Sequence, residues 1–480
     1  MISKISTIRA TFNILSRPER IGLVGAGLIL FTSLLFWVGL VLDQKTTKIP
    51  VAGGEYHEGL TGQPVYINPV IADNDADRDI AALIYAPLTD LVKDYSLGDE
   101  GKVYIVNLKE NLLWSDDERI TSDDVIFTVK TIQDANARSP LFQTWQGVIA
   151  ERESEIQLRF VLRSPYVFFG KNLERLPVIP KHIFDNVPPA NLRLSNYNLE
   201  PVGNGPYKFS GYEKRKDGFI GEYRLAANEN YPGKKPFIEK FVFKFYETED
   251  ALVSAFNARA IDGFGGINPK NVEYLSPNRK ISQLILPRHY AIFFNPSINA
   301  ALKDKNLRLA LIQSVNKKRI IEEVFGGQAL EVDGPLLVGL EGYNAEAYAK
   351  IEYAPELAKE TITALKEKNK NLGLEFNIVV PQVEFLVKTA EMVKEDWEAA
   401  GVKINLVVLN PSDIAGEVIR TRNYEMLLFG SIIANSPDLF SFWHSSERFF
   451  PGLNLSIFNS GEVDELLEKV RQTSAPEERS

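Results

Sequence analysis

Three groups of residues have types and spacings that could do chemistry. The first is the run Asp73-Asn74-Asp75-Ala76-Asp77-Arg78-Asp79, whose alternating oxygens have the rhythm of a calcium loop. Its sixth position is Arg78, where such a loop needs glycine for its turn. Its twelfth is Ile84, where a glutamate should close the coordination shell. The run reads better as a solvated acidic loop. The second group is the histidines, His57, His182, His289 and His444. They are scattered, with no spacing that would bring two imidazoles onto one metal ion, so no metal site is expected. The third is aromatic: Phe142 with Trp145, and Phe442-Trp443-His444. Each has two readings, a wall against a ligand or packing inside a core, and large aromatics are more often core. No GxSxG, HExxH or phosphate-loop pattern occurs, and the pair Asp116-Asp117 is of a kind common on surfaces. The absence of these patterns speaks against an enzyme, though only negatively, and no cofactor is expected.

The elements that must position these residues follow from local pattern. Gln63 to Pro69 is strand-like, and Val103 to Leu108 alternates as a strand does. Thr121 is placed to cap a helix, with Asp123 and Asp124 in its first turn and Val125, Ile126, Val129 and Ile132 on one face. Residues 155–162 and 237–246 read as further strands, with a tight turn at Gly203-Asn204-Gly205-Pro206-Tyr207. The second half is more regular. Leu307, Leu311, Val315 and Val324 outline one helix stopped by Gly326-Gly327. Leu374–Val380, Phe385–Ala399 and Val402–Leu409 then read as strand, helix and strand, a parallel βαβ unit. Tyr424–Phe429 adds another strand. The change of character near Ile285–Phe294 suggests a hinge there.

Length and charge set the bounds. A chain of 480 residues is too long for one core. It has no cysteine, which excludes disulfides, a thiol nucleophile, thiolate zinc sites and a lipid carried on an N-terminal cysteine. The net charge is −9; residues 1–20 carry +3, leaving −12 for residues 43–480. So acidic a body is a poor partner for nucleic acid, whose phosphates need a basic face. Between lies Ile21–Leu42, 22 residues without a charge. As a helix it would span about 33 Å, enough for a hydrocarbon core of about 30 Å. The basic flank before it puts the N-terminus in the cytoplasm and the body outside. A cleaved signal peptide is the competing reading, but the run is long and ends Val41-Leu42-Asp43-Gln44, a poor cleavage site.

Several segments, in order, resemble the family 5 extracellular solute-binding proteins that serve peptide and nickel transporters. They are Ala82-Leu83-Ile84-Tyr85-Ala86-Pro87-Leu88, then Leu112-Leu113-Trp114-Ser115-Asp116-Asp117 with Ile120-Thr121-Ser122-Asp123-Asp124-Val125-Ile126-Phe127. Leu176 to Ile183, Pro201 to Tyr207, Phe293-Phe294-Asn295 and Leu307 to Leu311 follow. Asp117 stands where the family has glycine. The resemblance covers residue 53 to the end. It implies an α/β, two-lobed periplasmic-binding-protein-like fold with an extra subdomain in lobe one, preceded by one transmembrane helix. The expected organisation is a basic cytoplasmic tail over 1–20, an anchor over 21–42, a linker over 43–52, lobe one over 53–287 and lobe two over 288–480.

The resemblance also implies a function: capture of an oligopeptide or related solute between the lobes and delivery to the permease subunits of an ABC importer. A nickel chelate, haem or an oligosaccharide are alternative solutes, and an anchored interaction protein that has lost transport is a further alternative. The body should be extracytoplasmic and monomeric, held at the cell membrane by residues 21–42. In peptide-binding relatives the segment matching Phe429 to Asp438 lines the cleft, with an aspartate that pairs with the peptide's α-amine. Here Ser431 replaces a tryptophan, and Ala434 or Asn435 stands at that aspartate; Asp438 matches a later one. The ligand-binding residues expected are Asp73, Asn74, Phe142, Trp145, Gly430, Asn435, Asp438 and Trp443, with no metal ligand. Relatives continue past the helix at Val463–Val470 and return to lobe one, so that return is expected to be missing here.

Overall fold

The computed structural model describes residues 15–47, 49–277, 279–286, 288–347, 351–370, 372–432 and 438–480. Residues up to Gly53 and residues from Gly54 form two separate units. The first is dominated by one helix, Arg17–Lys45. Ser16 and Glu19 close a capping box at its start, the Ser16 amide and hydroxyl both donating to the Glu19 carboxylate at 2.8 and 2.7 Å. Its stretch from Arg17 to Leu42, 26 residues and about 39 Å of helix, is long and apolar enough to cross a membrane by length and composition. Leu23, Phe31, Phe36 and Trp37 are all exposed on it.

The strands of the body are, in chain order, β1 (Glu55–Thr61), β2 (Val92–Gly98), β3 (Val103–Leu108), β4 (Ile149–Arg152), β5 (Gln157–Val161), β6 (Tyr207–Lys214), β7 (Ile220–Ala227), β8 (Lys240–Tyr246), β9 (Gly263–Phe264), β10 (Arg288–Phe294), β11 (Glu375–Pro381), β12 (Lys403–Leu409) and β13 (Met426–Ile432). They make three sheets with orders β6-β7-β8-β1-β9, β2-β3-β5-β4 and β10-β13-β11-β12. The first is mixed, since β1 runs parallel to both β8 and β9 while β6, β7 and β8 are antiparallel. The second is antiparallel throughout. In the third, β11 is parallel to β12 and β13, and β10 is antiparallel to β13.

The cores divide in the same way. Ile67 through Phe245 feed one large core, and Leu252, Phe256 and Ile261 a small one. Leu302 through Leu428 feed a second large core, and Val379, Ile414, Leu427 and Leu455 belong to a small one beside it. Two sets of buried side chains with separate sheets make two lobes.

Local signals explain most elements. The helix Ser122–Gln133 starts at Thr121, whose backbone amide donates to Asp124 at 2.8 Å in a capping box. The helix Glu384–Ala399 joins β11 to its parallel neighbour β12, and Gly401 (φ 100°) makes the left-handed turn between them. Two expectations are corrected. Leu307 to Val324 is two helices, Lys305–Ser314 and Lys317–Phe325, because Asn316 breaks the run and caps the second through the Arg319 amide at 3.0 Å. Gln63 to Pro69 forms no strand: the Val65 and Tyr66 amides donate to the buried Asp77 carboxylate at 2.7 and 2.9 Å instead of to a neighbouring strand.

Candidate functional site

The strand β13 lies inside its sheet yet is paired unequally. On one side β10 pairs with it over its whole length, from Phe294↔Met426 to Arg288↔Ile432. On the other side β11 reaches only Met426 and Leu427. Among the described residues, Leu428 to Ile432 therefore have a strand partner on one side alone, about 16 Å of strand without a second ladder. Gly430 sits in the middle of it, opposite Tyr290. A Cβ on Gly430 would come within 2.6 Å of the Tyr290 ring, so the glycine lets that ring lie against the strand. Tyr290 is held edge-on to Phe385, 5.3 Å between centroids.

Beyond β13 the chain reaches Asp438 after residues 433–437, so Asn435, like Ala434, lies outside the described residues. The Asp438 carboxylate is 10% exposed and occupied. Arg471 Nε lies 3.0 and 3.1 Å from its two oxygens and Arg471 Nη2 2.8 Å from Oδ2. Tyr166 Oη, from lobe one, donates to Oδ2 at 2.6 Å, and the Phe440 amide donates to Oδ1 at 3.1 Å. The Arg471 guanidinium also lies 3.7 Å over the Phe440 ring and 5.0 Å from the Tyr166 ring. Burial, and then the Asp438 charge, push the Tyr166 phenol well above its usual range, so it stays a donor.

The other expected residues fall in different surroundings. Asn74 caps the helix Asp75–Ile84: its Oδ1 accepts the Asp77 amide at 2.9 Å and its Nδ2 donates to Asp77 Oδ2 at 2.5 Å. Asp73, just before it, is exposed and 3.6 Å from Arg193. The expected acidic loop is thus the start of a helix, where first-turn carboxylates suit the helix dipole. Asp75 pairs with Arg78 at 2.6 Å and, across to lobe two, with Arg288 at 3.0 Å. Partial burial raises its pKa, but the two arginines prevail and hold the carboxyl below its usual range.

Phe142 is half-buried. Trp145 is 2% exposed within the lobe-one core, 5.7 Å from Phe160 and 5.5 Å from Phe169. Its ring is spent on packing. Trp443 is half-buried and edge-on to Phe458 at 5.9 Å. The structure thus brings Gly430 and Asp438 to one stretch of lobe two. Tyr166, Arg471 and Arg288 were not anticipated: each acts through a partner remote in sequence, and no local spacing announces it.

A family model, that of the bacterial extracellular solute-binding proteins, family 5 middle, matches residues 86–448. The oligopeptide-binding protein AppA of Bacillus subtilis is 24% identical over 464 residues, 90% of this chain and 83% of that protein. The solved structure of AppA from Bacillus subtilis in complex with a nonapeptide superposes with a TM-score of 0.75 at 23% identity, over 90% of this chain and 89% of that one. NikZ from Campylobacter jejuni in complex with Ni(L-His) gives 0.70 at 24%, over 88% of each. At these identities the structural likeness is one of fold.

Proposed function

The chain belongs to the bacterial extracellular solute-binding proteins of family 5, and from that premise we propose that it captures an oligopeptide in extended form between its lobes. In its coarser form the assignment is that of a non-enzymatic, extracytoplasmic substrate-binding protein of an ABC transporter. One observation carries the finer reading. The open edge of β13, Leu428 to Ile432, offers main-chain donors and acceptors with strand spacing. A peptide laid along it adds a strand, is held by its own backbone, and is chosen only loosely by side chain. Solutes without a regular run of amides, such as haem or an oligosaccharide, would leave those groups unmatched.

Asp438 already receives Arg471, Tyr166 and the Phe440 amide, and Asn435 carries no charge. The ligand's α-amine therefore has no ready partner at either position, which favours recognition along the main chain. Gly430 and Trp443 from lobe two, with Phe142, Asp73 and Asn74 from lobe one, are the proposed contacts. The helix Arg17–Lys45 serves as an uncleaved anchor, with the transporter's permease subunits as partners. Its length and basic flank support this reading, and its hydrophobic run is longer than a signal peptide needs.

Native mass spectrometry of protein extracted from membranes tests both parts at once. The expected result is a full-length chain carrying uncleaved peptides of mixed sequence. A chain shortened near residue 42 would end the anchor reading. Retention of a nickel–histidine complex in place of peptide would end the peptide reading.

A further inference from the structure

Five residues in the sequence separate Ile432, the last residue of β13, from Asp438, whose carboxylate meets both lobes. Within lobe two it is forked by Arg471, from the end of the helix Gly461–Gln472. From lobe one it receives the Tyr166 hydroxyl at 2.6 Å. A second bond runs alongside, the Val167 amide donating to the Arg471 carbonyl at 2.9 Å. Tyr166 is itself fixed in lobe one, where its carbonyl accepts the Tyr104 hydroxyl at 3.2 Å. Arg471 is sandwiched against Phe440, which stacks in turn on His444 at 4.0 Å.

We infer that Tyr166, Asp438 and Arg471 form an interlobe bridge that holds the ligand-free body toward the closed state. This inference rests on the reading of solute capture between two lobes. A binding protein of this kind is a two-state device, and its apparent affinity falls with the fraction that is closed-competent. The bridge has the right construction for setting that fraction. Its lobe-two half, Asp438 with Arg471, persists whether or not the lobes meet. Its lobe-one half is the Tyr166 hydroxyl with the Val167 amide beside it, both neutral donors that can let go without stranding a charge, because Arg471 still neutralises the carboxylate.

The test is a distance measurement on the full chain in detergent, without added solute. The protein has no cysteine, so Lys216→Cys in lobe one and Lys366→Cys in lobe two can be labelled selectively for single-molecule energy transfer. Tyr166→Phe should lower the closed-to-open ratio by roughly tenfold or more, the effect of losing one hydrogen bond to a charged group. Arg471→Lys, which keeps the charge but loses the fork, should fall between. An unchanged ratio in Tyr166→Phe, with its melting temperature also unchanged, overturns the bridge. The readout needs no ligand, so the bridge can stand if peptide retention fails, and can fall if peptide retention succeeds.

Discussion

The two mixed sheets of the body use their inner strands differently. In lobe one, β8 is paired with β1 from Glu55↔Lys240 to Thr61↔Tyr246 and with β7 from Glu222↔Lys244 to Ala226↔Lys240. Both edges of that strand are used along most of its length. In lobe two, β13 holds the same inner position but loses one partner after Leu427. A strand paired on both sides can only support; a strand paired on one side can also receive. The same difference separates two tryptophans. Trp145 is enclosed by Phe160 and Phe169 in the lobe-one core, whereas Trp443 is only partly buried.

The largest effect that would sharpen this contrast is on stability. Trp145→Ala should cost about 3–5 kcal/mol in denaturant unfolding, because the indole fills a closed core. Trp443→Ala should cost less, about 1–2 kcal/mol, since part of its surface stays in water on folding. If Trp443 faces the solute, its loss should weaken peptide binding more than its cost in stability suggests. Equal unfolding costs for the two variants would erase the distinction between supporting and receiving regions.

A smaller effect should appear on the edge itself. Gly430→Val puts methyl groups where the Tyr290 ring now lies, 2.6 Å from the nearest ring atom at the Cβ. The ring must swing away, at a cost of about 1–2 kcal/mol in stability. The displaced ring or the new side chain then disturbs the edge, and peptide affinity, followed by calorimetry, should fall about tenfold. A lower unfolding midpoint with full affinity would place the ligand elsewhere.

What could be read from the sequence divides along the same line. Elements whose signals are local were legible: the capping box at Thr121 and Asp124, the alternation of Val103–Leu108, the βαβ unit closed by Gly401. So was the two-lobed fold, through ordered motifs. What escaped was decided at long range. Gln63–Pro69 has a strand's composition, yet Asp77, more than ten residues on, takes its amides. Trp145 looked as eligible for a cleft as Trp443, because burial is a property of what folds over a residue. Asp438 was expected as a ligand contact, but its partner Tyr166 is 272 residues away, and no spacing rule reaches that far.

The smallest expected effect concerns pH and the strand on which the open edge depends. His289 lies on β10 directly opposite Ser431. Burial lowers its proton affinity below the ordinary value of 6.5. In the unfolded chain the same imidazole titrates near that ordinary value. As the pH falls through it, the unfolded chain takes up a proton before the folded one does. Stability must then decline with falling pH, the unfolded state binding more protons, until the lower folded value is passed. The decline should be modest, because His289 is only half-buried. Unfolding midpoints measured across that window should slope downward toward acid in the native chain and more shallowly in His289→Gln. Identical slopes would assign the acid sensitivity to another group. A slope that steepens when peptide is bound would mean that filling the edge of β13 buries this imidazole further, which no residue of the fully paired lobe-one sheet could report.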